Sequence, residues 1–261
     1  MTTTPSAKKI RSEIRLGLRT GNTSGLCGGN LQCNLIILPK NWSMDFLNFC
    51  KLNPKPCPLI SMTEPGDFTL PLLGDDIDLR SDIPSYRIFR DGVMTEEVSD
   101  LSEFWKDDLV SFLLGCSFSF EEALIDAGLE VRNVTESVNV PMYISNIECN
   151  ASGPFSGKLV VSMRPFTPKQ AQLASEICGR YPSAHGDPVH FGNPEVIGIK
   201  NLDDPDFGDK VHIRDGEQPL FWACGVTSQV VIQNAKPPLS ITHSPGCMLI
   251  TDLKNGSLMA I

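Results

Sequence analysis

Four short strings in this sequence hold side chains that could move a proton or hold an anion. In GCSFSFE, Cys116, Ser117 and Ser119 lie just before a stretch that reads as a helix start, with Glu121 close behind. Free N–H groups and the dipole at such a start favour an oxyanion or a carboxylate, and Glu121 could serve as a base. The serines are equally suited to capping, and Cys116 to an ordinary core position. In SMRP, Arg164 follows an apolar run, and its planar fork suits a carboxylate. Arg80 and Arg87 compete for that role, and a structural ion pair is the plainer use of any arginine at a strand end.

Imidazoles supply the remaining chemistry. His185 and His190 lie in YPSAHGDPVHFG, a stretch rich in Gly and Pro, and His243 lies in THSPG. Loops held by a scaffold are where reactive groups concentrate, and His is the usual base near neutral pH. A lone His is nevertheless more often just a hydrogen-bonded residue. His185, His190, Asp252 and Cys247 could instead gather a divalent metal, although their spacing matches no compact ligand motif. No cofactor is called for with certainty. The glycines of TGNTSGLCGGN lack a phosphate-loop pattern and are better explained by tight turns.

The elements that must position these groups follow from periodicity. Ile10, Ile14 and Leu18 recur at helical spacing, and Cys33–Leu38 reads as a buried strand. A helix over MDFLNFCKLN, capped by Asn41 or Ser43, precedes a strand in PLISMTE and a long loop, 66–84. Tyr86–Phe89 reads as a strand turned by Asp91-Gly92; helical patterns follow at Leu101–Trp105, at Asp107–Leu114 and from Ser119 onward. Strands are expected at Val131–Val134, Met142–Cys149 and Lys158–Met163, then a helix opened by Pro168. Later strands fall at Val196–Ile199, Lys210–Ile213, Leu220–Cys224, Leu239–Thr242 and Met248–Thr251, with a helix over Thr227–Ala235. No internal repeat is apparent. The order predicts an α/β fold: a split α/β layered domain, 1–126 and 195–261, with a smaller α+β domain, 127–194, inserted.

Composition narrows the function. The 261 residues carry a formal charge of -9, which argues against nucleic acid or an anionic membrane as partner. A small carboxylic acid remains a fitting partner, since a local basic pocket needs only one or two arginines; a homo-oligomer is compatible too. Nine cysteines include no CxxC pair, and reduced thiols in a cytoplasmic setting explain them best. The start, MTTTPSAKKIRSEIRLGLRTG, has no apolar run suited to a signal peptide, though a mitochondrial matrix location is conceivable in a eukaryote.

Several strings together carry a resemblance. GNTSGLCGGNLQCNLIILPK, LNPKPCPLI with TEPGD, DLRSDIPSYRIFRDG and FLLGCSFSFEEAL come first. NVPMYISNIEC, GKLVVSMRP, YPSAHGDPVHFGNP, FWACGVTSQ and ITHSPGCMLITD follow in the same order. From about Gly21 to Asp252 the chain resembles the hydro-lyase family that includes D-glutamate cyclase. The resemblance implies loss or gain of water on a small amino or hydroxy acid, with D-glutamate and 5-oxo-D-proline as the leading pair. One departure is Cys247, where the family string leads one to expect a histidine.

Titrating thiols in denaturant without reductant should find nearly all nine cysteines free; several stable disulfides in protein from its native compartment would overturn the cytoplasmic expectation.

Overall fold

Every residue of the strand Asn30–Pro39 (β1, after a first helix α1, Ala7–Arg15) is buried, and the larger of two sheets is assembled around it. The computed structural model describes residues 5–258; Met1–Thr4, where the basic start begins, lie outside the described residues. After helix α2 (Lys40–Leu52) come strands β2 (Leu59–Met62), β3 (Tyr86–Arg90), β4 (Val93–Val98) and β5 (Leu109–Gly115). The chain's end adds β10 and β11, at Ser240–His243 and Leu249–Lys254. The sheet order is β2-β5-β1-β10-β3-β4, with β11 paired to the start of β1. Both chain ends therefore share one core: Leu31, Leu35 and Leu113 pack with Leu239, Ile241 and Leu249.

The second sheet has the order β6-β7-β9-β8, from strands Met142–Glu148, Lys158–Phe166, Gln218–Ala223 and His190–Phe191 respectively. Helices α3 (Phe118–Asp126), α4 (Arg132–Thr135), α5 (Pro168–Cys178) and α6 (Val226–Ala235) complete the α/β architecture. Sheet membership does not divide at the expected 194/195 boundary. Strand β9 pairs with β7 from Val161↔Ala223 to Phe166↔Gln218, so the smaller sheet draws on sequence well beyond residue 194.

Local structure differs from expectation where short apolar runs are ambiguous. Leu109–Gly115, expected as part of a helix, is a strand paired on both sides, with β1 and β2. Leu101–Trp105 is a turn. Val131–Val134 lies at helix α4 instead of a strand, Val196 falls in a 3-10 turn, and Lys210–Ile213 has no regular structure. Helix α2 starts at Pro39 without a side-chain cap, while Ser43 donates to the Lys40 carbonyl at 2.8 Å. Among the described residues all strand ladders are antiparallel, so Arg164 does not sit at the carboxyl edge of a parallel sheet. No helix among the described residues is long and apolar enough to cross a membrane.

Alternation along β1 prepares two different faces. Leu31, Cys33, Leu35 and Ile37 enter the main core, whereas Ile36 and Leu38 pack with Phe46 and Phe49 of α2 and Val231 and Ile232 of α6. Asn30, Gln32 and Asn34 share the parity of that second face and are buried there. Next to Asn34, strand β5 ends at Gly115, and the Asn34 side-chain amide donates to the Gly115 carbonyl at 2.8 Å.

Gly115 also fixes the approach of the turn that carries His185. A Cβ at this position would overlap the Ser183 carbonyl oxygen, a backbone atom that no rotamer change can move. Gly115→Ala should therefore cost about 1–3 kcal/mol, as over-packing does. Urea unfolding of the two proteins checks it, and equal stabilities would remove the close approach as a constraint.

Candidate functional site

Arg164 lies on β7 opposite Leu220 of β9, and its side chain is 1% exposed. Its Nη2 pairs with the Glu121 carboxylate and donates to Ser117 Oγ at 3.2 Å. Its Nη1 donates to Ser162 Oγ at 3.1 Å, while the rings of Phe120 and Trp222 stand 5.2 and 5.4 Å from the guanidinium carbon. Arginine stays charged at any relevant pH, so burying it demands these partners. The Nε donor has none among the described residues.

Ser117 occupies the N-cap of α3 but makes no capping bond with its side chain. Ser119 is buried and its hydroxyl has no partner among the described residues, so neither serine side chain caps the helix, the alternative use for which they were equally suited. Burial pushes the Cys116 thiol up to about 12, against the Phe118 N–H that points at it and the nearby Arg164 charge. Glu121 also lines a cleft of about 320 Å³ between α3 and the glycine-rich loop at Ser24–Asn30, with Gln32 at its base.

His185 is buried, with a backbone φ of 77° that holds its side chain in a left-handed turn. The ring Nδ1 lies 2.7 Å from the Lys55 carbonyl oxygen. A carbonyl can only accept, so Nδ1 carries the proton and Nε2 keeps its lone pair. Burial lowers the His185 pKa to about 4; the Lys55 carbonyl opposes this and the Arg164 charge adds to it. The imidazole is thus neutral across the physiological range. The strings GCSFSFE and SMRP meet directly, and the His185 turn lies within the field of their arginine.

The other candidates are engaged elsewhere. His243 uses its ring as a ladder partner, with Nδ1 3.1 Å from the Leu35 N–H, and its charged neighbour is Arg87. Arg87 pairs with Glu97, which also accepts from Ser85 and Ser244. Arg80 is held by both oxygens of Asp78 and stacks on Phe68 at 3.5 Å. His190 bonds the Asn193 carbonyl at 2.7 Å and tilts on Phe221. The Cys247 thiol donates to the Gly21 carbonyl at 3.3 Å, and Asp252 pairs with Arg11 at 3.0 Å. His243 of THSPG therefore stands apart from the Arg164 cluster, and His185, His190, Asp252 and Cys247 do not gather as the metal set considered above among the described residues. Among the described residues, Asp75, Asp76 and Asp252 are the group with metal-ligand proximity, and two of the three already neutralise Arg11.

Two features escaped the sequence reading. The amides Asn30, Gln32 and Asn34 alternate inside an otherwise apolar strand, and that period-two signal was legible. Cys224 precedes α6 as Cys116 precedes α3, and its thiol lies in the field of Arg164 and Glu121. The echo of GCSFSFE in ACGVTSQ was the available clue.

A model of the D-glutamate cyclase family matches residues 110–252. The chain is 52% identical to "Putative hydro-lyase YcsI" of Bacillus subtilis (strain 168) over 97% of this chain and 99% of the relative. It is 52% identical to "Putative hydro-lyase blr2921" of Bradyrhizobium diazoefficiens, covering 100% and 97%. Among solved structures, a nitrogen repressor-like protein from Methanococcus jannaschii matches with a TM-score of 0.38 at 8% identity, over 90% of this chain and 91% of that one. That likeness is too distant to argue from.

The two buried imidazoles make stability pH-dependent. His185 and His243 both fall from 6.5 to about 4 on folding, so the unfolded chain binds protons first as pH drops. Their contribution is complete above about pH 6.5 and is lost as pH falls toward 4, by up to ~3 kcal/mol each. Urea midpoints between pH 7 and 4.5 should fall more steeply in the native protein than in His185→Gln. Equal slopes would show that His185 is not buried in its neutral form.

Proposed function

The chain belongs to the D-glutamate cyclase family, and we propose that it is a hydro-lyase acting on a small amino or hydroxy acid, with D-glutamate and 5-oxo-D-proline as the substrate pair. The observation that carries this reading is a buried, always-charged arginine beside an imidazole held neutral. A carboxylate anchor and a base are what water loss from such an acid requires.

Cyclisation forms a bond from the amine nitrogen to the carbon of the γ-carboxyl group and breaks one of that carbon's bonds to oxygen. In this reading the α-carboxylate docks on Arg164 as Glu121 gives way, exchanging one carboxylate for another on the guanidinium. The freed Glu121 faces the amine. The amine enters as an ammonium; His185 Nε2 takes two of its protons one after the other and delivers both to the departing γ-carboxylate oxygen, which leaves as water. The hydroxyls of Ser117 and Ser119, at the start of α3, would serve a developing oxyanion as donors. Cys247 stands apart from this cluster, so a cysteine there removes no group from the proposed chemistry. Nine free thiols suit a reducing, cytoplasmic setting.

Water loss and gain should be assayed across D-glutamate, L-glutamate, both 5-oxoprolines and small hydroxy acids, with and without divalent metal. Arg164→Lys should raise KM, because an ammonium cannot supply two parallel hydrogen bonds. His185→Ala should lower kcat by about two to four powers of ten. Because His185 is neutral down to pH about 4, it should impose no acid limb near pH 6.5. Inactivity on the whole panel, or unchanged kinetics in both variants, would overturn the reading.

A further inference from the structure

Two turns in the molecule are built alike. Strand β5 runs through Cys116 and Ser117 into α3; strand β9 runs through Cys224 and Gly225 into α6. The N-caps have nearly the same backbone angles, φ -60° and ψ -21° at Ser117, φ -60° and ψ -23° at Gly225. Each cysteine carbonyl accepts from the N–H three residues on, Ser119 at 3.2 Å and Thr227 at 3.0 Å. Each sulfur also faces the N–H two residues on, that of Phe118 or of Val226. The side chains echo as well: Cys-Ser-Phe-Ser-Phe-Glu against Cys-Gly-Val-Thr-Ser-Gln.

The two turns come from different sheets and meet over β1. Asn34 is the meeting point: its amide holds the Gly115 carbonyl, and a Cβ on Gly225 would stand 2.8 Å from its Nδ2. Arg164 and Glu121 lie in the electrostatic reach of both sulfurs, and the sulfurs of one another. Cys116 is buried and Cys224 half-buried, its thiol 3.4 Å from Met142 Sδ. Two buried polar atoms at this centre, Arg164 Nε and Ser119 Oγ, have no partner among the described residues, and a polar ligand would satisfy them.

We propose that Cys116 and Cys224 are paired acid–base groups on opposite sides of an amino acid anchored at Arg164, so that the protein also inverts its α-carbon. This rests on the reading of Arg164 as the carboxylate anchor. One thiolate takes the α-hydrogen: the carbon–hydrogen bond breaks, a sulfur–hydrogen bond forms, and the electron pair is delocalised into the carboxyl group. The other thiol returns a proton to the opposite face and becomes the thiolate. No oxidant or reductant enters, and the two sulfurs only exchange roles. Burial raises both thiols, and a thiolate of high basicity suits a proton as weakly acidic as one on carbon.

The full-length protein should be incubated in deuterated water enriched in oxygen-18, with D-glutamate, L-glutamate and the two 5-oxoprolines in turn. Mass spectrometry and chiral chromatography then read α-deuterium, inversion and oxygen exchange separately. The expected result is α-deuteration with inversion. Cys116→Ser and Cys224→Ser should each lower inversion at least about 100-fold relative to oxygen exchange. Oxygen exchange without α-deuteration in the native protein overturns the thiol pair and leaves the hydro-lyase reading standing. Inversion without oxygen exchange supports the pair and overturns that reading; neither with any of the four acids overturns both. An equal fall of both reactions in the serine variants assigns the cysteines to structure and overturns the pair. Should the variants not fold, iodoacetamide labelling of the native protein, with substrate failing to protect either cysteine, overturns it as well.

Discussion

A guanidinium at the centre of a protein cannot shed its charge, so whatever buries Arg164 must also neutralise it. The partner, Glu121, comes from helix α3 behind the large sheet, while Arg164 comes from β7 of the small one. The pair therefore ties the two sheets through a bond whose loss would leave a buried charge, a defect of about 3–5 kcal/mol. Phe120 and Trp222 come from the same two sources and stack on each other beside the guanidinium. Such a pair is a weak source of net stability but a strong determinant of geometry. In the proposed function it is also exchangeable: an incoming carboxylate takes the place of Glu121 without leaving the arginine unpaired.

That exchange needs room, and the backbone supplies it by omitting side chains. Gly115 lets the Ser183 carbonyl close on the end of β5, which brings the His185 turn against the start of α3. Gly225 lets the start of α6 rest on the Asn34 amide. The first half of β1 offers amides to this centre, whereas Ile36 and Leu38 in its second half pack under α2 and α6. One strand thus changes from site wall to core floor along its length. Alternation makes that change without altering the other face, which stays apolar throughout.

Much of this was legible in the sequence, and the misses have a common cause. Long or strongly patterned elements, such as β1, α5 opened by Pro168, and the β3–β4 turn at Asp91-Gly92, read correctly. Leu109–Gly115 did not, because a seven-residue apolar run is as good a buried strand as a helix segment until its neighbours are known. The pairing of Gln218–Ala223 with β7 depends on long-range contacts that no local window contains. Of the site, GCSFSFE with Arg164 and His185 could be picked out by chemistry. Arg80 and Arg87 could not be ruled out, since their partners, Asp78 and Glu97, become visible only once the chain is folded.

His185 and His243 show why electrostatic perturbation alone would not have located the centre. Both are driven to about 4 by the same burial, and the Nδ1 of each is engaged by backbone, the Lys55 carbonyl at His185 and the Leu35 N–H at His243. His243 bridges Leu35 just beyond the paired residues Ile36 and Thr242, standing in for the next rung of the ladder between β1 and β10. Its ring serves the sheet. His185 lies in a turn that no ladder requires, in a left-handed backbone conformation rare for a residue with a side chain, facing a charge of the kind a carboxylate seeks. Equal shifts with unequal settings mean that setting, not shift, separates a structural imidazole from a reactive one. By that criterion His243 belongs to its ladder, whereas His185 sits near the junction of the two sheets, where Arg164 of β7 meets Glu121 of α3.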